Sequence, residues 1–223
     1  LRKPTDLLFA NDLDTLLPNY LVSRIKNIPL IYDSHELFCD VPELQGSPVK
    51  QAIWRALEKR LLPRVRHRIT VNSRIASIFK ARYGTEFSVV RNIGDHSKDF
   101  IARGRAELAL PPDKKVIILQ GSGINVDRGA EELMDAISRV DGTLLLVIGS
   151  GDVWEKLKKK AANESLLGKV TLMCRMPAAE LRHYTANADL GVSIDKPGNL
   201  NYENSLPNKI FDYVQAGVPV LAS

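Results

Sequence analysis

Cysteine, aromatic residues and long apolar runs are all scarce in this chain. Its two cysteines, Cys39 and Cys174, stand far apart with no ligand-like spacing around either. That excludes a disulfide scaffold and a zinc module and points to a reducing compartment. Both thiols are expected to act as small buried hydrophobes. Aromatics make up 6% of the residues, and no stretch approaches the roughly 18 apolar positions that a membrane-spanning helix needs. The N-terminal LRKPTDLLFAND has too short an apolar core for a secretory signal, and acids follow at once. No G-x-S-x-G elbow occurs, and no nucleic-acid-binding motif.

What remains is the composition of an ordinary globular protein, with 44% hydrophobic and 26% charged residues in a length of 223. That suffices for one large domain or two small ones. The net charge is +5, and the excess gathers in ALEKRLLPRVRHRIT (56–70), KARYG and EKLKKKAA. Such stretches attract nucleic acid, anionic lipid or phosphorylated substrates, or are simply solvated helix faces. Without aromatic–basic interleaving, nucleic acid ranks last among these.

Short β-branched runs alternate with amphipathic stretches, the pattern of α/β folds with parallel sheets. DLLFA (6–10), PLIYD (29–33), RITVN (68–72) and FSVVR (87–91) read as strands. Between them lie the helices DTLLPNYLVSRIKN, SPVKQAIWRALEKRLL, opened by Ser-Pro, and SRIASIFKARYG, closed by Gly84. The polar, turn-rich stretch 92–115 reads as a crossover. A second series follows: KVIILQG, a helix from about Asp127, TLLLVIG, DVWEKLKKKAAN, KVTLM, PAAELRHYTANA, DLGVSI, and the amphipathic helix that runs into VPVLAS, a buried-looking strand. The expected organisation is a domain over 1–100, a linker over 101–114 and a domain over 115–223. Each domain holds an incomplete doubly wound sheet, and the chain reads as an internal piece of a longer protein.

Four stretches are weighed for chemistry, because doubly wound sheets bind ligands outside the carboxyl ends of their strands. In QGSGINVDRGAEELMDAI (120–137) a glycine turn leads into a helix whose free N–H groups suit a phosphate, with Arg128 as a bidentate partner. The turn VIGSGDVWEKL (147–157) is of the same kind, and its glycines are read as structural. In ENSLPNKIFDYVQAG, Ser205 is the expected N-cap and Pro207 falls in the first turn. Lys209 there opposes the helix dipole, which makes sense beside a bound anion. Asp212, one turn on, suits sugar hydroxyls. In IYDSHELFCDVPE (31–43), Asp33, His35 and Glu36 follow a strand directly, and His35 is a candidate for substrate contact. His67, His96 and His183 have no such setting.

Taken in order, these motifs resemble the retaining glycosyltransferases of family four, over nearly the whole chain. The resemblance implies a GT-B fold of two Rossmann-like domains and transfer of a sugar from a nucleoside-diphosphate sugar to a glycan or lipid-linked acceptor. IYDSHE resembles the family's acceptor-side histidine region and implies His35 as the catalytic residue near the transferred sugar. VVRNIGDHSKDF resembles the stretch closing the first domain, with Asn92 and Asp95 in its Asn-Gly-x-Asp positions. GSGINVDRG resembles the first phosphate turn, implying Gly121, Ser122 and Arg128 at the donor. Ser122 stands where an Arg is usual. The stretch ENSLPNKIFDYVQAGVPV resembles the donor motif of two acids eight positions apart, which implies Glu203, Asn204, Ser205, Leu206, Lys209 and Asp212 as donor contacts. Asn204 and Asp212 occupy the two acid positions. The resemblance further implies no cofactor and no obligatory metal, a cytoplasmic place in polysaccharide or cell-envelope synthesis, and peripheral contact of the basic helix with the inner face of the membrane. A sugar-nucleotide epimerase of the same fold, or a non-catalytic nucleotide-binding piece, are the rival readings.

Overall fold

The computed structural model describes residues 4–94 and 99–223, so Asp95 and His96 lie outside the described residues. The described chain forms two compact units. One takes residues up to Asn92 together with Pro197–Leu206, and the other takes Ile93–Lys196 together with Pro207–Ser223.

In the first unit, β1 (Leu8–Asn11), β2 (Leu30–Ser34), β3 (His67–Thr70) and β4 (Ser88–Val89) form one sheet in the order β1-β2-β3-β4. Every pairing is parallel. Helix α1 (Asp12–Lys26) crosses from β1 to β2, with acids in its first turn and bases in its last, as its dipole favours. A short α2 (Pro42–Gln45) precedes α3 (Pro48–Leu61), which starts with Ser47 at the N-cap and Pro48 inside the first turn. Helix α4 (Ser73–Tyr83) is capped by the Asn72 side chain, which accepts from the Ile75 amide, and closed by Gly84 at φ 65°. The core gathers Leu13, Leu16, Tyr32, Leu62, Ile75 and Phe79, with the Phe79 and Phe87 rings stacked at 4.5 Å.

In the second unit, β5 (Lys115–Gly121), β6 (Thr143–Gly149), β7 (Val170–Cys174), β8 (Leu190–Ser193) and β9 (Val220–Ala222) form a parallel sheet in the order β7-β6-β5-β8-β9. Strand β6 is buried along its whole length, as befits a central strand covered on both faces. Leu145 and Val147 point to the core shared with α5 (Ala130–Ile137) and α6 (Trp154–Ala161). Leu144, Leu146 and Ile148 point to the opposite core, which holds Tyr184 of α7 (Ala178–Ala186) and Tyr213 of α9 (Asn208–Gln215). The order reverses direction between β5 and β8, which makes their carboxyl ends the switch-point crevice of a doubly wound sheet.

Four local expectations change. The helix after β5 begins at Ala130, not Asp127: Asp127 and Gly129 both have positive φ, outside the right-handed helical region, and regular turns start only after Gly129. The Gly129 position is also closed to any side chain, since a Cβ there would lie 2.6 Å from the Ile194 carbonyl oxygen. Ser205 is not an N-cap. It closes a five-residue helix, α8 (Leu200–Asn204), by donating its hydroxyl to the Tyr202 carbonyl at 3.0 Å, and α9 starts at Asn208 with Pro207 as its cap residue. Strand β9 is an edge of the described sheet, with Leu221 about half exposed rather than buried. Cys39 is buried as expected, but Cys174, the last residue of β7, is exposed.

Candidate functional site

The crevice of the second unit lies where two loops leave adjacent strands. After β5 the chain turns through Gly121 to Gly129, and after β8 it runs through Ile194 to Lys196. The loops are tied together: the Lys196 amide donates to the Asp127 carbonyl at 2.8 Å, and its ammonium pairs with Glu132 at 2.6 Å. Arg128 lies between them, its Nη1 3.3 and 3.2 Å from the two Asp195 carboxylate oxygens. Lys209, in the first turn of α9, reaches the same place. A methyl group built on Gly121 would stand 3.9 Å from the Lys209 Cε.

Lys209 is perturbed by its surroundings. Burial pushes its ammonium down to about 8, Asp195 pulls it back up, and Arg128 pushes it further down. Two cations and one carboxylate therefore share a partly dry crevice, lined on one side by a glycine turn. The charge and geometry of such a site suit an anion with several oxygens. Asp195 supplies the negative charge that faces these two cations. Asp195→Asn is expected to tighten binding of inorganic diphosphate at pH 6.5 by roughly tenfold. Unchanged or weaker binding, read by calorimetry, counts against the assignment of this crevice.

Beside it, on the α7–α9 side of the sheet, is a cavity of about 540 Å³ whose lining includes Phe100, Gln120, Arg182, Thr185 and Asp212. Gln120, the penultimate residue of β5, donates to Asp212 at 2.9 Å and accepts from the Thr185 hydroxyl at 2.7 Å. Burial raises the Asp212 carboxyl above its ordinary range, and the Gln120 bond and Arg182 oppose the shift. Helix α9 thus presents Lys209 to the crevice and Asp212 to the cavity, one helical turn apart. Below them Tyr213, fully buried, receives the Gln120 amide on its hydroxyl at 3.3 Å.

The first unit holds His35 just past β2. Its Nε2 lies 2.9 Å from Asp33 Oδ2, and its backbone amide donates to Asp12 Oδ1 at 2.9 Å. Asp12 Oδ2 lies 3.7 Å from the ring Nδ1. The ring is therefore oriented by carboxylates from two strand ends and remains partly exposed. Asp12 adopts φ 57°, an uncommon geometry for a residue with a side chain, and burial raises its carboxyl. Glu36 accepts from the Asn201 side-chain amide at 2.9 Å.

The sequence-derived residues fall into three places. Gly121, Arg128 and Lys209 come together at the crevice, with Ser122 exposed on the same turn. Asp212 lines the adjoining cavity. Glu203, Asn204, Ser205 and Leu206 belong to the first unit. There the Asn204 carbonyl accepts from Asn72 at 2.8 Å, and the Glu203 carboxylate accepts from the Gly198 amide at 2.9 Å. Sequence reasoning missed Asp195, Gln120 and Asp12. The available signal was position alone, since each sits at or next to the carboxyl end of a strand. His183 has a structural role, its Nδ1 accepting from the Arg103 amide at 3.2 Å. Among the described residues, no group of three His, Cys, Asp or Glu side chains is arranged to hold a metal ion, and no helix is long and apolar enough to cross a membrane.

No protein-family model matches the chain, and no curated protein does. Solved structures do. HepE from Anabaena, in complex with UDP and glucose, superposes with a TM-score of 0.75 at 19% identity, over 97% of this chain and 59% of that one. Sucrose-phosphate synthase from Thermosynechococcus elongatus gives 0.76 at 19% identity, over 97% and 55%. A glycosyltransferase from Rickettsia africae gives 0.69 at 13% identity, over 98% and 57%. The chain thus has the α/β, two-sheet architecture of GT-B glycosyltransferases, and it spans somewhat over half the length of these structures.

Proposed function

We propose that this chain carries the nucleotide-binding and acceptor-side units of a glycosyltransferase that uses a nucleoside-diphosphate sugar. The observation that carries the reading is the pairing of Arg128 and Lys209 at the switch-point crevice, beside a cavity of about 540 Å³ that presents Asp212. Arg128 and Lys209 hold the diphosphate, with the turn Gly121–Ser122 against it. Asp212 accepts hydrogen bonds from the ribose. As the sugar leaves, negative charge grows on the diphosphate, and preorganised cations in a water-poor site stabilise it without rearranging. The side chains supply this charge, and no obligatory metal is invoked.

Glu203, Asn204, Ser205 and Leu206, given to the donor by the motif resemblance, belong to the first unit. HepE was solved with UDP and glucose, so UDP is the first nucleotide to try. Transfer with retention, to a glycan or lipid-linked acceptor in cell-envelope synthesis on the cytoplasmic side, is the finer form of this proposal. It rests on the motif resemblance. His35 is the proposed catalytic residue of the first unit.

The test separates binding from chemistry. His35→Ala is expected to lower sugar transfer from a radiolabelled donor by about 100-fold or more, while nucleoside diphosphate affinity stays as it was. Equal transfer by both proteins removes His35 from the catalytic role. Sugar-nucleotide turnover that needs no acceptor and yields an epimer overturns the reaction class.

A further inference from the structure

We infer that Asn201, on the short helix α8, is a positioning residue for His35. The inference rests on the catalytic reading of His35 given above, and every residue it uses belongs to the first unit. Two asparagines, Asn199 and Asn201, are only 6% and 1% exposed. A buried side-chain amide destabilises a fold unless its donor and acceptor are both satisfied, so what these two hold needs an explanation.

His35 to Leu37 follow β2 without regular structure, and their backbone groups need partners from elsewhere. The His35 amide donates to Asp12 Oδ1, and the Leu37 amide donates to Asn201 Oδ1, both at 2.9 Å. Ser34 closes the turn by donating its hydroxyl to the Glu36 carbonyl at 2.8 Å. The backbone that carries the imidazole is therefore held before the ring by Asp12 and after it by Asn201. The other end of the Asn201 amide, Nδ2, donates to Glu36 Oε2 at 2.9 Å. The Leu37 amide can only donate and an ionised Glu36 can only accept, so position 201 needs one acceptor and one donor. Aspartate would set a second carboxylate against Glu36, and an apolar residue would leave both groups unpaired.

Helix α8 serves as the support for this contact. Five residues do not sustain a helix by themselves. The Asn199 side chain accepts from the Tyr202 amide at 3.0 Å and donates to the Asp40 carbonyl at 3.1 Å. Asn72 donates to the Asn204 carbonyl at 2.8 Å. The helix is thus fixed at both ends, with Asn201 between them against the turn. The precision matters because a displacement of about 1 Å in a catalytic group costs on the order of 100-fold in rate.

The test follows one ring and one reaction. Diethyl pyrocarbonate attacks a free imidazole nitrogen, and peptide mapping gives its rate at His35 with no need of activity. Asn201→Asp is expected to speed that modification about fivefold and exchange of the Leu37 amide roughly tenfold. It should also lower kcat for sugar transfer roughly tenfold, with KM for the sugar nucleotide unchanged. Adding Glu36→Gln restores all three, because the exchanged pair again sets a donor against an acceptor and leaves an acceptor for Leu37. Asn201→Ala, the second variant, should show the same changes with no rescue by Glu36→Gln. Unchanged His35 modification in both variants, no rescue of Asn201→Asp, or unchanged kcat in a protein that needs His35 overturns the proposal. The expected modification rates in a protein that transfers no sugar, or transfers it equally well as His35→Ala, support the placement and remove the catalytic reading instead.

Discussion

Replacing Lys209 with Met is expected to make the protein more stable and to abolish most of its affinity for a nucleoside diphosphate. The two effects share one cause. Lys209 is an ammonium held in a crevice that disfavours its charge: burial, joined by Arg128, lowers it to about 8 from an ordinary value of 10.5, against the pull of Asp195. A lysine lowered on folding costs stability wherever the folded chain must keep it charged. Between about pH 8 and 10.5 the unfolded chain still holds a proton that the folded chain has released, so stability rises with pH across that window. Lys209→Met lacks this rise. At neutral pH it should gain about 1–3 kcal/mol, seen as a melting temperature several degrees higher.

Ligand binding reverses the balance, since a diphosphate supplies the charge that the site lacks. Its affinity is expected to fall as pH climbs through 8, when Lys209 loses its proton, and to fall roughly 100-fold in Lys209→Met at any pH below that. Lys209→Arg keeps the charge and flattens the profile. A Met variant that melts lower than the parent means that Lys209 is stabilised by its surroundings, which contradicts this description of the crevice.

The second large effect concerns Gly149. Gly149→Ala is expected to destabilise the second unit by about 4 kcal/mol and to remove nucleotide binding with it. A Cβ at this position would stand 1.8 Å from the Gly121 carbonyl oxygen and 3.0 Å from the Ile124 side chain. Gly149 pairs with Gly121 at the last rung between β5 and β6, so the clash pries apart the strands that position the phosphate turn. Gly121→Ala is the matched control. The nearest atoms to its Cβ are 3.9 Å away, an ordinary contact, so stability should change by less than about 1 kcal/mol. Comparable loss in both variants, measured by urea unfolding, would contradict the account. It would show that the turn, and not the strand pairing, limits stability.

These cases show which features the sequence could reveal. Strands and long helices were legible because period-2 and period-3.6 patterns record burial directly. PLIYD, TLLLVIG and the helix closed by Gly84 reappear almost where their patterns put them. The helix after β5 was placed three residues early, because Asp127 and Gly129 take positive φ and nothing local distinguishes that from a helical start. Helix α8 was not legible at all. It is polar, only five residues long, and held by contacts distant in sequence, such as the Leu37 amide donating to the Asn201 side chain at 2.9 Å. Its presence is also what turns Ser205 from an N-cap into a closing residue. Among site residues, Arg128 and Lys209 were found because cations beside a glycine turn and at a helix start need an explanation. Asp195 was missed because a lone carboxylate after a strand has a dozen ordinary explanations until Arg128 is seen against it.

The most direct measurement is a calorimetric titration of this chain with UDP, GDP and ADP, with and without Mg²⁺, at pH 7 and pH 9. The account predicts saturable binding of one of the three that is independent of the metal, weaker at pH 9, and lost in Lys209→Met. Binding of none, binding only when Mg²⁺ is present, or binding indifferent to Lys209 would contradict a diphosphate site built from Arg128 and Lys209.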